Sequence, residues 1–404
     1  MLPVPKEDTK SQSFANPLAL WKVQAGAGMG HLAYIDAVRG IAIAGVIALH
    51  TSQVFHPHPT VNWIAHFGAD GVQLFYTVSA YTLALSMVKR DGTERRPVRN
   101  FFLRRFFRIA PLFYLMFVVY FFLSRTPLAH IMNASQVSWI HGLAVLTFLN
   151  GWRPDTINRP VLGQWSIAIE MIFYLLLPLI APFVGTFRRA VVAWWIALGI
   201  FLVSFPAGLA LAVREGFSPT VVDVRLFASW WFPSQLPIFM GGLGLFLIVR
   251  YNIPARRYLP PYLCGITVLL LVRHFYHDTY LTPIYGVLFI LGISYLARHP
   301  VPWLVNRASV FLGKVSFSAY LCHLLFLDIV VRVFHGLQFW PTVNFSIAFA
   351  ATLVLTCPAS WCLWRYCEQP FQAMGRRLIR SLEARERIAG ESVAHIVSEE
   401  TIDC

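Results

Sequence analysis

The stretch YIDAVRGIAIAGVIALHTSQ, residues 34–53, decides the fold class of this 404-residue chain. About 20 predominantly apolar residues are enough to cross the hydrocarbon core of a bilayer as a helix, and this stretch has that length. It nevertheless carries an acid, a guanidinium and an imidazole, at Asp36, Arg39 and His50. Ionisable groups at membrane depth are costly, and they normally face the interior of a bundle or a water-filled cavity. We therefore expect a transmembrane helix that keeps one face for function.

The composition of the whole chain indicates an integral membrane protein with several spans. Hydrophobic residues make up 57% of the chain and charged residues only 13%, whereas soluble domains carry about 25% charged residues. The formal net charge of +14 lies in short loops between apolar runs and forms no helical stripe with interleaved aromatic residues. Lys and Arg concentrate in cytoplasmic loops. We therefore ascribe this charge to membrane topology and expect the lipid bilayer, but no nucleic acid, as a partner.

Ten apolar runs are long enough to predict membrane spans. The seventh is short and weak, and a further run at 139–150 has about twelve residues, too few for an ordinary crossing. We interpret this run as a re-entrant or interfacial helix within a long outer segment, 125–164. The ten predicted spans lie near 33–52, 69–88, 106–124, 165–184, 190–211, 232–249, 261–274, 281–297, 310–331 and 343–364.

The distribution of positive charge favours ten spans over eleven. With ten spans and a cytoplasmic N-terminus, 25 of the 33 Lys and Arg residues lie on the inner side and seven lie in outer loops. Counting 139–150 as a crossing would move the clusters at 188–189, 250–260 and 298–314 outside. Because cytoplasmic loops carry the excess of Lys and Arg, we predict an all-α transmembrane helical bundle of about ten spans with both termini in the cytoplasm.

The sequence divides into a cytoplasmic N-terminal segment (1–32), one transmembrane domain (33–371) and a cytoplasmic C-terminal tail (372–404). The residues before the first span are polar and lack the apolar core of a signal peptide, and the first apolar run lacks a convincing small-residue cleavage site, so we expect a retained helix. The six cysteines form no C-x-x-C pair, and neither a disulfide framework nor a metal site is predicted. The sequence makes no prediction of an oligomeric state.

One face of the first span carries all three of its ionisable residues. Arg39 and His50 are eleven residues apart, which is about three helical turns and roughly 16 Å along the axis, and they align within about 20°. Asp36 lies three residues before Arg39 on the same face. In a purely structural alternative, Asp36 and Arg39 form an ion pair that stabilises the packing of the bundle, and His50 is an interfacial residue. The shared alignment favours a functional face.

Arg105 and Arg108 enter the third span three residues apart, on one helical face. The planar fork of Arg suits phosphate groups. We therefore predict that this pair binds a phosphorylated ligand at the cytosolic mouth of the bundle. For the positive charges at 89–99 we prefer the simpler interpretation that they anchor the topology.

Two later spans carry further candidate site residues. Glu170 lies five residues after Trp165 in an apolar run near the outer face, where it is a candidate acid or base, or a residue that orients His50. Tyr320 and His323 are spaced to line one cavity. The alternative for His323 is a buried histidine whose hydrogen bonds are satisfied within the core.

In these positions the chain resembles the membrane-bound acyltransferase-3 family, which O-acylates sugars, lipopolysaccharide, peptidoglycan and some antibiotics. The family pattern begins with Arg, ten residues and His in the first span, as in Arg39 and His50. It continues with R-x-x-R at the start of the third span, as in Arg105 and Arg108. The further matching segments follow in order: GVQLFYTVSAY (71–81), WSIAIEMIFYLLLP (165–178), LGKVSFSAYLCH (312–323) and EQPF (368–371).

Two positions depart from the family pattern, because Gln73 replaces its usual Asp and Ala80 its usual Gly. Any role for a carboxylate in the second span is therefore absent here or supplied by another residue. Some family members carry a fused C-terminal esterase-like domain, which we do not expect in a chain of this length.

The resemblance implies an O-acyltransferase, and we expect an O-acetyltransferase, in the bacterial inner membrane. Its donor would be cytosolic acyl-CoA, with acetyl-CoA the expected form, and no cofactor would be bound permanently. Its acceptor would be a hydroxyl of a surface glycan, lipopolysaccharide or lipid-linked saccharide. The catalytic residues would be His50, Glu170 and Arg39, and CoA would be held by Arg39, Arg105 and Arg108. The residues expected to contact the substrate are Asp36, Trp165, Tyr320 and His323.

Two other classes of function stay open from the residues alone. A proton-coupled secondary transporter would use Asp36, His50 and Glu170 as a relay, although the sequence shows no internal repeat of the kind that many transporters contain. The third class is a non-catalytic membrane subunit of a glycan-assembly complex.

Overall fold

The computed structural model describes residues 32–90, 92–123, 139–154, 156–157, 163–216, 222–275, 282–299, 301–334 and 340–400. Within these ranges the regular structure is helical throughout, which confirms the prediction of an all-α bundle. The predicted N-terminal segment lies outside the described residues except for Leu32, and so does the part of the outer segment that precedes the helix at 139–146.

Fifteen α-helices occupy the described ranges. Their bounds are α1 Ala33–Phe55, α2 Pro59–His66, α3 Gly71–Arg90, α4 Pro97–Leu123, α5 Trp139–Leu146, α6 Trp165–Ile180, α7 Phe187–Arg214, α8 Val222–Trp230, α9 Phe232–Arg250, α10 Ala255–Phe275, α11 Thr282–Leu296, α12 Arg307–Lys314, α13 Ser316–Phe334, α14 Pro341–Leu363 and α15 Gln369–Glu400. A 3₁₀ turn, Phe67–Asp70, joins α2 to α3, and a π-helical turn, Trp364–Glu368, joins α14 to α15.

Eight helical stretches in the described part of the chain are long and apolar enough to cross a membrane. They are centred on α1, α3, α4, α6, α7, α9, α13 and α14. The other two predicted spans are also helical: α11 is apolar but only 15 residues long, and α10 contains Pro260 and Pro261. The run at 139–150 folds into the eight-residue helix α5, which is too short to span, as predicted. The side of the membrane on which each terminus lies stays a prediction.

Helix α9 lies at the centre of the bundle, and 83% of the residues in its apolar window are buried. It is apolar on all sides, as expected for a helix that neighbouring helices surround. It packs against α3 where Gly242 faces the Thr77 carbonyl and the Ala80 methyl group, with no room for a Cβ at Gly242. The Ala found at position 80 is thus accommodated by a glycine on the facing helix.

Close helix crossings fix α1, the helix that carries Arg39 and His50. Helix α12 crosses it where Gly40 meets the Ser309 backbone and Gly313 meets the Asp36 backbone. A Cβ at either glycine would overlap a main-chain carbonyl of the facing helix. Small residues at such crossings allow close approach of backbones, which stabilises helix pairs inside membranes.

The last helix, α15, is tied back to the segment between α3 and α4. The Glu383 carboxylate accepts hydrogen bonds from the Arg95 backbone N–H at 2.9 Å and from the Asn100 side chain at 2.7 Å. Glu386 forms an ion pair with Arg99. These contacts hold the amphipathic C-terminal helix along the start of α4.

Candidate active site

Two cavities lie inside the bundle and share part of their walls. The first, which we call the arginine chamber, has a volume of about 680 Å³. Its polar lining consists of Arg39, Tyr76, Ser79, Thr82, Arg105, Arg108, Ser166, Glu170, Tyr174, Ser316 and Tyr320. The second, which we call the histidine chamber, has a volume of about 1500 Å³. Its lining includes His50, Gln53, His66, Asp70, Gln73, Trp165, Ser229, Trp230, Thr282, Tyr285 and Tyr320.

The arginine chamber concentrates positive charge inside the bundle. Arg39 lies 3.9 Å from the Asp36 carboxylate and donates a hydrogen bond to the Thr82 hydroxyl at 3.3 Å. Arg105 and Arg108 come from one face of α4, and within the described residues neither forms an ion pair with a carboxylate. The lining therefore sets three guanidinium groups against one carboxylate, which suits an anionic ligand.

Arg105 packs against aromatic rings, and one of its nitrogen atoms has no hydrogen-bond partner. Its guanidinium carbon lies 5.8 Å from the ring centroids of both Phe101 and Tyr174. Such cation–π contacts position the side chain without neutralising its charge. Its Nε is buried and lacks a hydrogen-bond partner. Because a buried donor without a partner is costly, the geometry favours a ligand oxygen at this atom.

Glu170 also belongs to the arginine chamber. Its carboxylate accepts hydrogen bonds from the Ser79 hydroxyl and, at 2.6 Å, from the Tyr174 hydroxyl. His50 lines the other chamber, where Gln53 is its hydrogen-bond partner at 3.1 Å. The structure therefore does not bring Glu170 to His50, and Gln53 occupies the position expected of a residue that orients the imidazole.

The imidazole of His50, which lines the histidine chamber, lies next to a second, buried imidazole. The ring centroids of His50 and His323 are 5.4 Å apart. His323 Nδ1 lies 2.8 Å from the Tyr320 carbonyl oxygen, and a carbonyl can only accept, so Nδ1 carries the proton. The Nε2 atom of His323 is buried without a partner and acts as an acceptor in the neutral ring. His323 is 1% exposed, which places it behind His50 rather than at the chamber opening.

Tyr320 forms the wall between the chambers, because Tyr320 and Val72 line both of them. The Tyr320 hydroxyl donates to the Gly163 carbonyl at 2.8 Å and accepts from the Ser166 hydroxyl at 2.8 Å. Gly163 has a φ of +82°, a conformation that favours glycine. A Cβ there would also lie 3.2 Å from the Tyr320 hydroxyl oxygen. The Tyr320 phenol in this wall is thus held by two hydrogen bonds to the segment 163–166.

Aromatic rings form one side of the histidine chamber. Trp165 stacks on Trp230 with ring centroids 4.7 Å apart and planes 5° apart. Tyr76 meets Trp165 edge-on at 6.4 Å. Flat aromatic surfaces beside a few polar groups are typical of small-molecule sites.

The sequence-predicted residues separate into two groups in the structure. Arg39, Arg105, Arg108 and Glu170 line the arginine chamber; His50 and Trp165 line the histidine chamber; Tyr320 lines both, with His323 next to His50. Asp36 lines neither chamber and pairs with Arg39 instead. The chemical roles assigned to these residues stay predictions.

Sequence reasoning missed several lining residues, among them Gln53, Ser79, Thr82, Tyr174 and Trp230. Tyr174 follows Glu170 by four residues, a spacing that puts both on one helical face and could have identified it. Gln53 follows His50 by three residues in the same way. No local signal marks Ser79 or Trp230, because their partners come from other helices.

Comparison with known proteins gives a consistent result. The family profile described as an acyltransferase domain, Acyl_transf_3, matches residues 32–365. A provisionally named O-acetyltransferase of Staphylococcus aureus strain COL is 24% identical over 377 residues, covering 86% of this chain and 58% of the relative. The peptidoglycan O-acetyltransferase OatA of Listeria monocytogenes is 24% identical over 376 residues, covering 84% of this chain and 56% of the relative.

A third relative, the provisionally named peptidoglycan O-acetyltransferase YrhL of Bacillus subtilis, is 23% identical over 406 residues. That alignment covers 91% of this chain and 59% of the relative. The chain therefore spans less than three-fifths of the length of the curated relatives it matches. No solved structure matches it.

Proposed function

We propose that this chain, which belongs to the membrane-bound acyltransferase-3 family, moves an acyl group from acyl-CoA to a hydroxyl of a surface glycan, lipopolysaccharide or lipid-linked saccharide. The relatives named as O-acetyltransferases support O-acyl transfer, and we take acetyl as the transferred group and acetyl-CoA as its donor. The observation that carries the proposal is the adjacency of the two chambers. One is lined by three guanidinium groups, the next contains an imidazole, and they share Tyr320.

The arginine chamber is the proposed donor site. CoA carries several phosphate groups, and Arg105 and Arg108 offer guanidinium forks that form no ion pair with a carboxylate of the described residues. Their helix begins beside the positively charged segment between α3 and α4, which the positive-inside rule places in the cytoplasm. Donor entry from the cytoplasm, across a bacterial inner membrane, follows from that topology.

The histidine chamber is the proposed site of transfer. His50 Nδ1 faces the Gln53 side-chain oxygen, an arrangement in which Nδ1 donates and Nε2 is available as a base. Nε2 would take the proton of the acceptor hydroxyl as its oxygen attacks the thioester carbonyl. The new C–O bond forms, the C–S bond breaks, and the proton passes from the imidazole to the departing CoA thiolate. In the two-step alternative, His50 first accepts the acyl group and then passes it on.

His323 and Glu170 take supporting roles in this proposal. His323 Nε2, buried and unpartnered near the His50 ring, would stabilise the transient positive charge on His50 through its lone pair. Glu170 would fix the arrangement of guanidinium groups around the donor through Ser79 and Tyr174. Trp165 and Tyr320 would contact the substrates, with Asp36 acting through Arg39.

The geometry gives less support to a proton-coupled transporter. A relay needs its titratable groups along one path, and Asp36 pairs with Arg39 while Glu170 and His50 line separate chambers. Neither chamber lining contains a continuous series of carboxylates and imidazoles that would connect Glu170 to His50.

Glycan analysis in a deletion strain tests the proposed function. NMR or mass spectrometry should show loss of O-acyl groups from the surface glycans, restored by the wild-type gene and not by His50→Asn. The matched control is His299→Asn, which changes an exposed histidine outside both chambers. Unchanged O-acylation in the deletion strain, with proton-coupled uptake by the purified protein in proteoliposomes, would establish the transporter instead.

A further inference from the structure

The histidine chamber contains a buried acceptor atom that the proposed chemistry does not use. Gln73 lines the chamber and is 4% exposed. Its side-chain oxygen has no hydrogen-bond partner among the residues that the structure describes. A buried acceptor without a partner is costly. A ligand that donates a hydrogen bond to this oxygen would remove that cost.

The hydrogen bonds around Gln73 determine which way its amide points. The Gln235 side-chain nitrogen donates to the Ser229 carbonyl at 2.6 Å. Because a carbonyl can only accept, the Gln235 nitrogen faces Ser229 and the Gln235 oxygen faces Gln73. The Gln73 nitrogen donates to that oxygen at 3.4 Å, which leaves the Gln73 oxygen on the other side of its amide. Gln235 is fully buried and lines neither chamber, so its role toward a ligand is to position Gln73.

The same hydrogen bonds place Gln73 beside a flat aromatic surface. Ser229 directly precedes Trp230, whose ring stacks on that of Trp165. Gln73, Ser229 and both indoles line the histidine chamber. Trp165 is 6% exposed and Trp230 is half-buried, so Trp230 carries most of the ring surface that a ligand can contact. An aromatic surface beside one oriented polar atom is typical of a small-molecule site.

The chamber is accessible from outside the bundle. Gln53, near the end of α1, and His66, at the end of α2, both line it and are both exposed. A ligand therefore does not need to pass through the arginine chamber to reach it.

We propose that Gln73 and the stacked Trp165 and Trp230 form a subsite for one pyranose ring of the acceptor saccharide. A pyranose has an apolar face of C–H groups and a rim of hydroxyls. The apolar face lies on Trp230, and one hydroxyl donates to the Gln73 oxygen. This inference rests on the proposed function, because it assigns the contacts of the saccharide whose reacting hydroxyl meets His50.

Saccharide binding in the absence of a donor is the direct test. The full-length protein is purified in a mild detergent, and saturation-transfer difference NMR measures the binding of the methyl glycosides of glucose, galactose, mannose and N-acetylglucosamine. The monodeoxy derivatives of the tightest binder are then compared with their parent. Wild-type protein should bind at least one glycoside, and one monodeoxy derivative should bind about fivefold more weakly, because it lacks the hydroxyl that donates to Gln73.

Gln73→Met keeps the length of the side chain and removes the acceptor. This variant should bind the parent glycoside about fivefold more weakly than wild type and should no longer distinguish that derivative. Gln235→Met frees the Gln73 amide to rotate and should reduce the same discrimination. The matched control is Gln372→Met, at a half-buried glutamine of α15 outside both chambers, which should behave as wild type.

Two results would overturn the inference. One is that no glycoside binds. The other is that the preference for the parent survives Gln73→Met, which would mean that water alone satisfies the Gln73 oxygen. Discrimination that is lost in Gln73→Met but unchanged in Gln235→Met would refute the positioning role of Gln235 and support the rest of the subsite.

A variant on a different helix keeps the test decisive if Gln73→Met does not fold. Trp230→Leu removes the aromatic surface and should weaken binding of the parent glycoside about tenfold. The control is Trp195→Leu, at a half-buried tryptophan of α7 outside both chambers. Equal binding by the two variants would contradict the stacking of a sugar ring on Trp230.

A transfer assay separates the subsite from the proposed function. With radiolabelled acetyl-CoA and the tightest-binding glycoside, Gln73→Met should raise the KM for the glycoside about fivefold and leave the KM for acetyl-CoA unchanged. Glycoside binding that depends on Gln73, without any acyl transfer, would support the subsite and refute the proposed function. Transfer with an unchanged glycoside KM in Gln73→Met would overturn the subsite and leave the proposed function intact.

Discussion

The two chambers differ in charge more than in any other property. The arginine chamber, about 680 Å³, is lined by three guanidinium groups and one carboxylate. The histidine chamber, about 1500 Å³, is lined by imidazole, amide and indole groups, with Asp70 its one carboxylate and neither Lys nor Arg. A polyanionic ligand is therefore stabilised on one side of Tyr320 and an uncharged ligand on the other. Under the proposed function, the charge of each chamber directs the anionic donor and the uncharged acceptor to different sites before the acyl group is transferred.

One helix contributes to both sides of this comparison. Arg39 and His50 lie on α1, separated by roughly 16 Å along its axis, and each lines a different chamber. Under the proposed function, the spacing between the site for the donor phosphates and the site of transfer is thus set by one helix and not by a loop. The following substitutions should affect the two chambers in kinetically distinct ways.

The largest effect is expected for His50→Asn. General acid–base catalysis contributes about 10²–10⁴-fold, so we predict a fall in kcat of about 1,000-fold with the KM for acyl-CoA unchanged, because the proposed site for the donor phosphates is in the other chamber. The measurement is steady-state transfer from labelled acetyl-CoA to native membranes, with His299→Asn as control. A large rise in donor KM would mean that His50 binds the donor rather than acting on the acceptor.

Replacing both arginines of the proposed donor site, Arg105→Ala with Arg108→Ala, should change the KM for acyl-CoA and not kcat. A hydrogen bond to a charged group contributes about 1.5–3 kcal/mol, so the KM for acyl-CoA should rise by about 100-fold. The control pair is Arg188→Ala with Arg189→Ala, two exposed arginines at the start of α7. Donor KM measured across a salt series checks the electrostatic origin. An unchanged donor KM would contradict the phosphate assignment.

An intermediate effect is expected for Glu170→Gln. The amide oxygen still accepts from Ser79 and Tyr174, but the substitution removes the one carboxylate of the chamber lining. We predict that donor kcat/KM falls by about 10-fold, or ~1.4 kcal/mol, through altered placement of the arginines. If Glu170 instead serves His50 directly, its loss should reproduce the kcat effect of His50→Asn. Glu215→Gln, outside both chambers, is the control.

The smallest effect is expected for Tyr320→Phe, which keeps the ring and removes the hydroxyl that bonds Gly163 and Ser166. Loss of hydrogen bonds contributing about 1 kcal/mol should reduce transfer by about 5-fold. Because the wall then closes less tightly, the ratio of acyl-CoA hydrolysis to transfer should rise. Tyr366→Phe, at a 71% exposed tyrosine, should leave that ratio unchanged. A constant ratio in both variants would show that Tyr320 does not separate the chambers.

Much of the fold follows from hydropathy, since the ten predicted spans are helical in their described residues, eight of them within stretches long and apolar enough to cross a membrane, and α5 is too short to cross. The common face of Arg39 and His50 follows from helical periodicity in the same way. The depth of a residue within the bundle does not follow from the sequence pattern. Glu170 lies near the predicted outer end of its span, yet it lines the arginine chamber. Helix tilt and rotation are set by packing against neighbours, so residue number along a span is a poor measure of position across the membrane.

Long-range partners were equally inaccessible to sequence reasoning. Gln73 departs from the family pattern and suggested a missing carboxylate, whereas the structure shows Asp70, three residues earlier, in the same chamber lining. Trp230 reaches Trp165 only because α8 packs against α6. Such contacts arise from the tertiary arrangement of helices far apart in the chain, and no local pattern encodes them.

The π-helical turn before α15 has a mechanical consequence. Its last residue, Glu368, is buried and accepts a hydrogen bond from Ser318, two positions before Tyr320 on α13. The middle of α15 is anchored by Glu383 and Glu386 to the segment that leads into Arg105 and Arg108. The turn and the terminal helix therefore connect the helix that carries Tyr320 with the start of the helix that carries Arg105 and Arg108. We expect a displacement of α15 to affect both chambers.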